Sequence, residues 1–248
     1  MIGICNLSNI PLRLEADNRS EIVSQLLFGE IYTVTDHTNE WVKIITHDDQ
    51  YSGWISRKQH EPIQSVPQTN VISCVFPYMM ATSRKGKVMI PSGSSLPDLL
   101  GDEFKINETS YTLNDQNINY HVHDLAKVAL QYENVPYLWG GRSPFGIDCS
   151  GFVQTVYKQI GIQLKRDASQ QAEQGERVSF LEESKCGDLA FFDNDEGKIV
   201  HVGLMLDKQT IIHASGRVRV DSIDNFGIMN LDENHYSHKL RIIKRIIG

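Results

Sequence analysis

The sequence predicts an α+β protein, in which two small all-β domains precede a larger domain of helices and strands. Short runs of alternating apolar and polar residues fill about the first 120 residues, which is the pattern of strands. Helical spacing of apolar residues begins only at about residue 121, and strand-like runs return after it. Helices followed by an antiparallel sheet are typical of an α+β domain rather than of repeated βαβ units.

The composition is that of an ordinary globular protein and argues against two classes of partner. The 248 residues carry a formal net charge of −7, and 40% of them are hydrophobic. A general nucleic-acid binder needs a basic surface to neutralise phosphates, and an anionic membrane surface attracts basic segments. No apolar run approaches the roughly 20 residues of a membrane helix. We therefore expect no nucleic-acid partner and no membrane partner.

The four cysteines are widely spaced, without a C-x-x-C pair: Cys5, Cys74, Cys149 and Cys186. This spacing predicts reduced thiols in a cytoplasmic protein. All but Cys149 are interpreted as small buried hydrophobic residues. The first 18 residues lack both a basic start and a continuous apolar segment, so no signal peptide is predicted. A removed leader would leave the same sequence, which keeps an extracellular or periplasmic location open.

The all-β part is predicted to contain two domains, over residues 1–61 and 68–119. In the first, the runs "EIYTVTDH", "EWVKIIT" and "YSGWIS" alternate, and residues 20–34 are predicted to form two strands joined around Gly29. Such closely spaced short strands favour a small barrel. The run "EPIQSVPQTN", residues 61–70, carries two prolines among polar residues and is predicted to be a linker.

The third domain, residues 121–248, is predicted to begin with two helices. The first starts near Asp124 and stops before Pro136, because proline cannot continue a helix. After the loop "YLWGGRSPFGI", the second starts near Cys149 and ends at Gly161. Five strand-like runs follow: "DLAFFD", "IVHVGLMLD", "QTIIHAS", "RVRVDSI" and "KLRIIKRIIG".

Cys149 is a candidate nucleophile because of its position at the predicted start of a helix. A helix N-terminus favours a thiolate through the macrodipole and the unpaired backbone N–H groups, which can also receive an oxyanion. Gly146 and Gly151 flank the cysteine and allow close backbone approach to a reacting carbonyl. A buried cysteine with no catalytic role is the alternative, and for any single cysteine it is the commoner case.

Two histidines on neighbouring strand-like runs could supply the base. His201 and His213 are separated by enough residues for two short strands and a turn, so a hairpin would place their imidazoles side by side. One would act as the base and the other would accept its ring N–H. A single histidine on a strand is usually a core or surface residue. The hypothesis therefore depends on the occurrence of Cys149, His201 and His213 together, in this order along the chain.

Two other histidine-containing runs could suggest a metal site. "HVH" at 121–123 has no partner at the spacing of a structural zinc site, and "ENHYSH" at 233–238 is interpreted as a polar loop. We therefore expect no metal and no other cofactor.

The runs "VPYLWGGRSPFGIDCSGF", "CGDLAFF", "HVGLML" and "IIHASG" together resemble the NlpC/P60 cysteine peptidases in order and spacing. The resemblance covers roughly residues 124–246 and implies a papain-like catalytic domain. The β-rich part resembles two bacterial SH3-type (SH3b) barrels, and "YSGWIS" is similar to a closing segment of those domains. The whole layout resembles the γ-D-glutamyl-L-diamino-acid endopeptidases that act on cell-wall peptides.

The resemblance assigns roles to individual residues around the thiol. It implies that Cys149 is the nucleophile, His201 the base and His213 the third polar residue of the triad. Tyr137 would lie near the thiol and help to position the substrate or the oxyanion. Asp148 and Ser150 flank the nucleophile as in the family and are expected at the substrate.

A further similarity concerns the choice of substrate. "LKRDASQQ" resembles the segment in which endopeptidases that require a free N-terminal L-Ala carry an aspartate, here Asp167, that holds the substrate ammonium group. Tyr51 of the first barrel would assist it, and Glu21 is a looser match. Asp167 could instead only cap the short helix "ASQQAEQ", Tyr51 could only pack in its barrel, and Glu21 could be a solvated strand residue.

The resulting expectation is a cytoplasmic, monomeric cysteine endopeptidase that cleaves the γ-D-Glu–diamino-acid bond of murein peptides with a free N-terminal L-Ala, in cell-wall peptide recycling. Two alternatives stay open. One is a secreted cell-wall hydrolase or amidase whose barrels bind the wall, and the other is a non-catalytic peptide-binding protein. The sequence does not distinguish lysine from diaminopimelate at the third position of the peptide.

Overall fold

The computed structural model describes residues 1–68, 70–73, 75–114 and 124–247. The chain divides into two compact units, one formed by Met1–Val122 with Trp139–Pro144 and the other by His123–Leu138 with Phe145–Gly248. Most of the described elements are strands, and helices are few and short. Among the described residues, no helix is both long enough and apolar enough to cross a membrane.

The first unit begins with a seven-stranded antiparallel sheet in the order β3-β2-β6-β5-β4-β1-β7. Alternating apolar residues of β2 to β6 point to one buried core, which explains the period of two in the sequence. The turn between the third and fourth strands contains Gly29, as predicted. The strands are β1 (Ile2–Ile4), β2 (Asn9–Arg13), β3 (Ile22–Leu27), β4 (Ile31–His37), β5 (Trp41–Thr46), β6 (Ser52–Ser56) and β7 (Glu61–Ile63).

The linker predicted over residues 61–70 was wrong at both of its ends. Glu61–Ile63 forms β7, which pairs with β1, and Asn70 begins the next strand. Pro62 is compatible with this position because β7 is the last strand of the sheet, where one side of the strand needs no ladder hydrogen bond. Pro62 therefore lies in an edge strand, whereas Pro67 lies in the connection between Ile63 and Asn70.

The following β segment shares a core with the first one. Phe28, the residue after β3, packs edge-on against both Phe104 and Tyr111, with ring centroids 5.7 Å away in each case. The segment contains a four-stranded sheet in the order β10-β9-β13-β12 and a pair of β11 with β8. Its strands are β8 (Asn70–Ile72), β9 (Tyr78–Ser83), β10 (Gly86–Pro91), β11 (Ser95–Pro97), β12 (Glu103–Ile106) and β13 (Thr109–Leu113).

Residues 139–144, which include β14 (Arg142–Ser143), pack with the first unit. Arg142 forms a buried two-pronged ion pair with Glu30, with both Nη–Oε distances at 3.0 Å. Gly140 has φ +75°, and a Cβ there would lie 2.2 Å from the carbonyl oxygen of Ile22. The glycine is therefore required by the close approach of two backbones.

The second unit opens with α1 (Leu125–Leu130), β15 (Gly146–Ile147), α2 (Cys149–Gln159) and α3 (Ala168–Gln171). Asp124 caps α1, because its side-chain oxygen accepts the N–H of Lys127. The predicted start of this helix is therefore confirmed. This helix ends at Leu130, several residues before Pro136. The predicted limits of α2 are confirmed, since Gly161 follows it with φ +83°.

The strands of the second unit form a seven-stranded antiparallel sheet in the order β16-β22-β17-β18-β19-β20-β21, with a further pairing of β21 and β22. Buried apolar side chains of these strands, Phe192 and Ile211 among them, form a hydrophobic core cluster. The strands are β16 (Glu176–Val178), β17 (Leu189–Asp193), β18 (Ile199–Met205), β19 (Thr210–Ser215), β20 (Arg217–Ile223), β21 (Gly227–Asn230) and β22 (His235–Arg245).

Candidate active site

Cys149 is the first residue of α2, and its neighbours explain why the helix starts there. The preceding residue, Asp148, has extended backbone geometry, and its Oδ1 accepts the N–H of Gly151 at 2.7 Å. This is a standard N-cap, which satisfies one of the unpaired donors of the first turn. The face of α2 carrying Phe152, Val153 and Val156 is fully buried. The cap and the apolar face together hold the cysteine, which is 7% exposed, at a defined position.

A buried arginine that the sequence analysis missed holds this helix start in place. Arg166 is 2% exposed, and its guanidinium binds both carboxylate oxygens of Asp148, at 2.6 and 3.1 Å. It also donates to the hydroxyl of Ser150 at 2.9 Å. Asp148 and Ser150 were predicted at the substrate, and the structure places their side chains in this buried cluster. Their contribution to substrate binding stays a prediction.

The thiol lies between α2 and β18. The backbone N–H groups of Val202 and Ser150 interact with the Cys149 sulfur and favour its thiolate. Burial and the carboxylate of Asp148 act in the opposite direction and are stronger, and they raise the pKa of the thiol to about 12. The lowering expected at the helix N-terminus is present through the N–H of Ser150, but burial and Asp148 outweigh it. Such a thiol needs a base beside it.

His201 and His213 lie side by side on a hairpin, as predicted. They occupy β18 and β19, the strands of that hairpin, and the Nε2 of His201 lies 2.8 Å from the Nδ1 of His213. His201 directly precedes Val202, whose N–H reaches the thiol. Burial and the two neighbouring imidazoles lower the pKa of His201 well below its ordinary value, so the ring is neutral and can accept a proton.

The chain of hydrogen bonds continues to an aspartate that the sequence analysis did not select. The Nε2 of His213 lies 3.0 Å from the Oδ2 of Asp221, and Arg219 binds the same carboxylate through Nε and Nη2, at 2.6 and 2.8 Å. Asp221 is 1% exposed. In "RVRVDSI" the charges alternate with valines, so they lie on one face of β20, and Arg219 is directly opposite His213. That alternation was the available signal.

His238 also belongs to the site, although "ENHYSH" was interpreted as a polar loop. That interpretation was wrong, because β22 begins at His235. The ring of His238 stacks on the ring of His201, with centroids 4.0 Å away and planes at 22°. The motif "HVH" at 121–123 lies outside the described residues.

One nitrogen of each of His201, His213 and His238 lies within 4.8 Å of the others, a separation that three metal ligands can have. However, both ring nitrogens of His213 already lie in hydrogen bonds, to His201 and to Asp221. A cation bound by all three imidazoles would have to replace one of these bonds. The geometry therefore fits the hydrogen-bonded arrangement better than a three-histidine metal site.

The stack of His238 on His201 gives a prediction for stability against pH. Burial and His213 lower the pKa of His238 to about 4, whereas an imidazole in the unfolded chain titrates near 6.5. As pH falls, the unfolded state thus binds the proton at a higher pH than the folded state does. The contribution of His238 to the free energy of unfolding is therefore fully present above pH 6.5 and is lost as pH falls towards 4. H238F keeps a stacked ring and removes this titration. Between pH 7 and 5 we expect it to lose about 1 kcal/mol less stability than the wild type, after allowance for solvent screening.

Thermal unfolding at both pH values measures this difference. The same substitution at His235, an exposed residue of the same strand, is the control and should follow the wild type. An equal acid sensitivity of H238F and the wild type would contradict the prediction.

The other predicted substrate residues are described within their own units. In the second unit, Tyr137 is half-buried, and burial together with Cys149 and Asp148 raises the pKa of its hydroxyl, which keeps it protonated. Asp167 is the N-cap of α3 and forms a capping box with Gln170. The predicted helix over "ASQQAEQ" is shorter in the structure and ends at Gln171.

The first unit contains the two remaining substrate candidates. Tyr51 packs against the core of the seven-stranded sheet, and its backbone N–H donates to the hydroxyl of Thr46 at 2.8 Å. Glu21 is exposed and accepts a hydrogen bond from the indole Nε1 of Trp139 at 2.6 Å. Roles of these residues at the substrate stay predictions.

Of the cysteines, Cys5 is buried and Cys186 is exposed, and both are free thiols. The interpretation as a buried hydrophobic residue is confirmed for Cys5 and was wrong for Cys186. Cys74 lies outside the described residues.

Comparison with known proteins identifies both parts of the chain. Residues 134–245 match the NlpC/P60 family, and residues 12–59 match the bacterial dipeptidyl-peptidase Sh3 domain. A γ-D-glutamyl-L-lysine dipeptidyl-peptidase of Bacillus subtilis is 29% identical over 247 residues, which cover 90% of this chain and 81% of the relative. A protein of the same name from Bacillus cereus is 29% identical over 238 residues, covering 82% and 70%.

Two solved structures share the fold. An NlpC/P60 family protein from Bacillus cereus gives a TM-score of 0.83 at 20% identity over the full length of both chains. An NlpC/P60 endopeptidase from Photobacterium damselae gives a TM-score of 0.72 at 17% identity, covering 97% of this chain and 70% of the other. The matches over residues 134–245 and 12–59 show that the chain contains an NlpC/P60 domain, preceded by a bacterial SH3 domain.

Proposed function

We propose that this protein hydrolyses the γ-D-glutamyl–diamino-acid bond of murein peptides, with Cys149 as nucleophile and His201 as base. The observation that carries the proposal is the placement of the thiol at a helix start and against the backbone N–H of Val202. Val202 directly follows His201, whose Nε2 lies 2.8 Å from the Nδ1 of His213. The two Bacillus relatives described above carry γ-D-glutamyl-L-lysine in their names, which supports the bond and favours lysine at the third position.

Burial decides how the nucleophile forms. It raises the pKa of the thiol and lowers that of His201, so each group on its own is neutral. Transfer of the proton from Cys149 to His201 creates a thiolate and an imidazolium together, and the site gains no net charge. We therefore expect the transfer to accompany attack on the carbonyl rather than to precede it.

The reaction then follows in two stages. The sulfur of Cys149 forms a bond to the γ-carbonyl carbon of D-Glu, and the carbonyl oxygen takes the negative charge. Tyr137, whose hydroxyl stays protonated, is suited to donate a hydrogen bond to that oxygen. His201 returns the proton to the leaving amine, which leaves a thioester. Water, deprotonated by His201, attacks the thioester and releases L-Ala-D-Glu and the free thiol.

The free N-terminus is the second part of the proposal. An enzyme that removes a dipeptide has to recognise the end of its substrate, and an ammonium group is bound best by a carboxylate. Asp167 is the candidate in the peptidase unit. It directly follows Arg166 and is the N-cap of α3. A substrate attached to glycan through this nitrogen lacks the charge, so the site would select free peptides, as in recycling of wall fragments.

The experiment compares L-Ala-γ-D-Glu-L-Lys with its N-acetylated form, with product masses as the readout. We expect cleavage of the free peptide between D-Glu and lysine and little cleavage of the acetylated one. Equal rates for the two peptides would overturn the free-amine site. Replacing lysine by diaminopimelate in the same peptide determines the preference at the third position.

D167N isolates the charge of the proposed ammonium site. Asparagine is as good an N-cap as aspartate, so α3 should persist. Loss of a charge-assisted hydrogen bond should lower kcat/KM for the free peptide by roughly 10- to 100-fold, mainly through KM. D195N, in an exposed turn of the same unit, is the matched control. An unchanged KM in D167N would remove Asp167 from the site.

Three finer features belong to the same proposal. We infer that residues 68–119 form a second SH3b-like barrel, which the short antiparallel strands β9–β13 support. A papain-like arrangement is supported by a cysteine on a helix that packs on the strand carrying the base. The protein is proposed to act as a cytoplasmic monomer, and the triad comes from one chain.

A further inference from the structure

Asp221 has no position in the proposed triad, yet it is one of the most deeply buried charges of the second unit. Four donors surround its carboxylate. Oδ2 accepts from the Nε of Arg219 and faces the Nε2 of His213, whereas Oδ1 accepts from the Nη2 of Arg219 and from the backbone N–H of Leu231 at 3.1 Å. These donors hold the pKa of the carboxyl well below its usual range.

An ionised carboxylate can only accept hydrogen bonds, and this determines where the ring protons lie. The Nε2 of His213 must carry a hydrogen to bind Oδ2. Burial lowers the pKa of His213, so its ring is neutral and has only that one N–H. The Nδ1 of His213 is then an acceptor.

The same reasoning applies one step further along the chain of hydrogen bonds. Because the Nδ1 of His213 accepts, the Nε2 of His201, 2.8 Å away, must donate. His201 is neutral as well, so its lone pair lies on Nδ1. That is the nitrogen which faces away from His213 and is left to take the proton of the thiol.

We propose that Asp221, held by Arg219, is a positioning residue that sets the tautomers of His213 and His201 and so leaves the lone pair of the base on Nδ1. The inference rests on the proposed function for its catalytic consequence, but the tautomers themselves do not depend on any substrate. A purely structural role, in which Asp221 only ties β20 to the segment after β21, is the alternative.

D221N distinguishes the two roles because the amide has the shape of the carboxylate but one side that donates. With its NH₂ in place of Oδ1, the amide would face two donors, Arg219 and Leu231. With its NH₂ in place of Oδ2, it would face one donor, Arg219, and could donate to His213. The second orientation is preferred, and it reverses every hydrogen bond of the chain.

The reversal places a hydrogen on the Nδ1 of His201, where the base needs its lone pair. We therefore expect D221N to lower kcat by about 100-fold or more with little change in KM, since a wrong tautomer of a catalytic histidine is costly while substrate contacts persist. Alkylation of Cys149 by iodoacetamide at pH 7 should slow in the same variant.

Long-range ¹H–¹⁵N correlation spectra of the full chain, without substrate, report the tautomers directly. We expect Nε2–H for His201 and His213 in the wild type and Nδ1–H for both in D221N. D232N is the matched control, because Asp232 also binds Arg219, at 2.9 Å, but its side chain is 56% exposed and its other ion pair is with Arg217. It should keep the wild-type tautomers, alkylation rate and kcat.

The outcomes separate this inference from the proposed function. An Nδ1–H tautomer of either histidine in the wild type would overturn it, even if D221N fails to fold. A folded D221N with wild-type tautomers and kcat within about threefold of the wild type would leave Asp221 only a structural role. Absence of peptide cleavage by the wild type would overturn the proposed substrate and would leave the tautomer result to stand on its own.

Discussion

C149A is expected to lower cleavage of L-Ala-γ-D-Glu-L-Lys by roughly 10⁴-fold or more, because removal of a nucleophile eliminates the covalent route itself. The apolar face of α2 and the cap by Asp148 do not involve the sulfur, so the variant should fold as the wild type does. Circular dichroism and thermal unfolding check the fold, and product masses measure the rate.

The matched control for this variant is C186A. Cys186 lies in the same unit and is an exposed free thiol, so its replacement should leave cleavage unchanged. Trapping of a thioester on Cys149 by rapid quenching would give direct evidence for the covalent stage. Substantial cleavage by C149A would contradict both the nucleophile and the proposed mechanism.

R166M should have the largest effect on stability of the changes considered. It removes the opposing charge at Asp148 and leaves a buried carboxylate with neutral hydrogen bonds from Gly151 and Ser150, which typically costs 3–5 kcal/mol. The free energy of unfolding, obtained from denaturant titration, measures the loss. Activity should fall as well, because Arg166 also binds Ser150, next to the nucleophile, and offsets the effect of Asp148 on the thiol.

A second substitution tests the origin of that loss. D148N keeps the N-cap of α2 and removes the buried charge, so R166M/D148N should recover part of the stability lost in R166M. R217M is the control for loss of an arginine, since the side chains of Arg217 and its partner Asp232 are 49% and 56% exposed and the change should alter stability by less than about 1 kcal/mol. A loss below that value in R166M would show that the buried pair contributes little.

The parts of the site that could be predicted are those with a local signal. An aspartate before an apolar periodic run predicts the start of α2 at Cys149, because the cap and the buried face are both set by near neighbours in the chain. Two strand-like runs with a short turn predict a hairpin, which brings His201 beside His213 whatever else the fold contains. Both predictions depend on periods of 3.6 or 2 residues.

The missed residues reach the site through long-range packing. Arg166 approaches Asp148 only because the segment after α2 folds back on the helix start. His238 meets His201 through β22, far along the chain, and its local sequence resembles a loop. Asp221 carried a weak signal, the alternation of charge and valine, but its importance depends on which face of β20 meets His213.

By itself, the sequence determined the secondary structure around the thiol, the pairing of the two histidines and the family to which the peptidase part belongs, since these depend on local patterns. Only the tertiary structure decided the protonation of the site. Burial raises the pKa of Cys149 and lowers that of His201, and a carboxylate brought from another strand defines the ring protons. Desolvation and charge pairing depend on which groups surround an atom in space, and a sequence pattern carries little of that information.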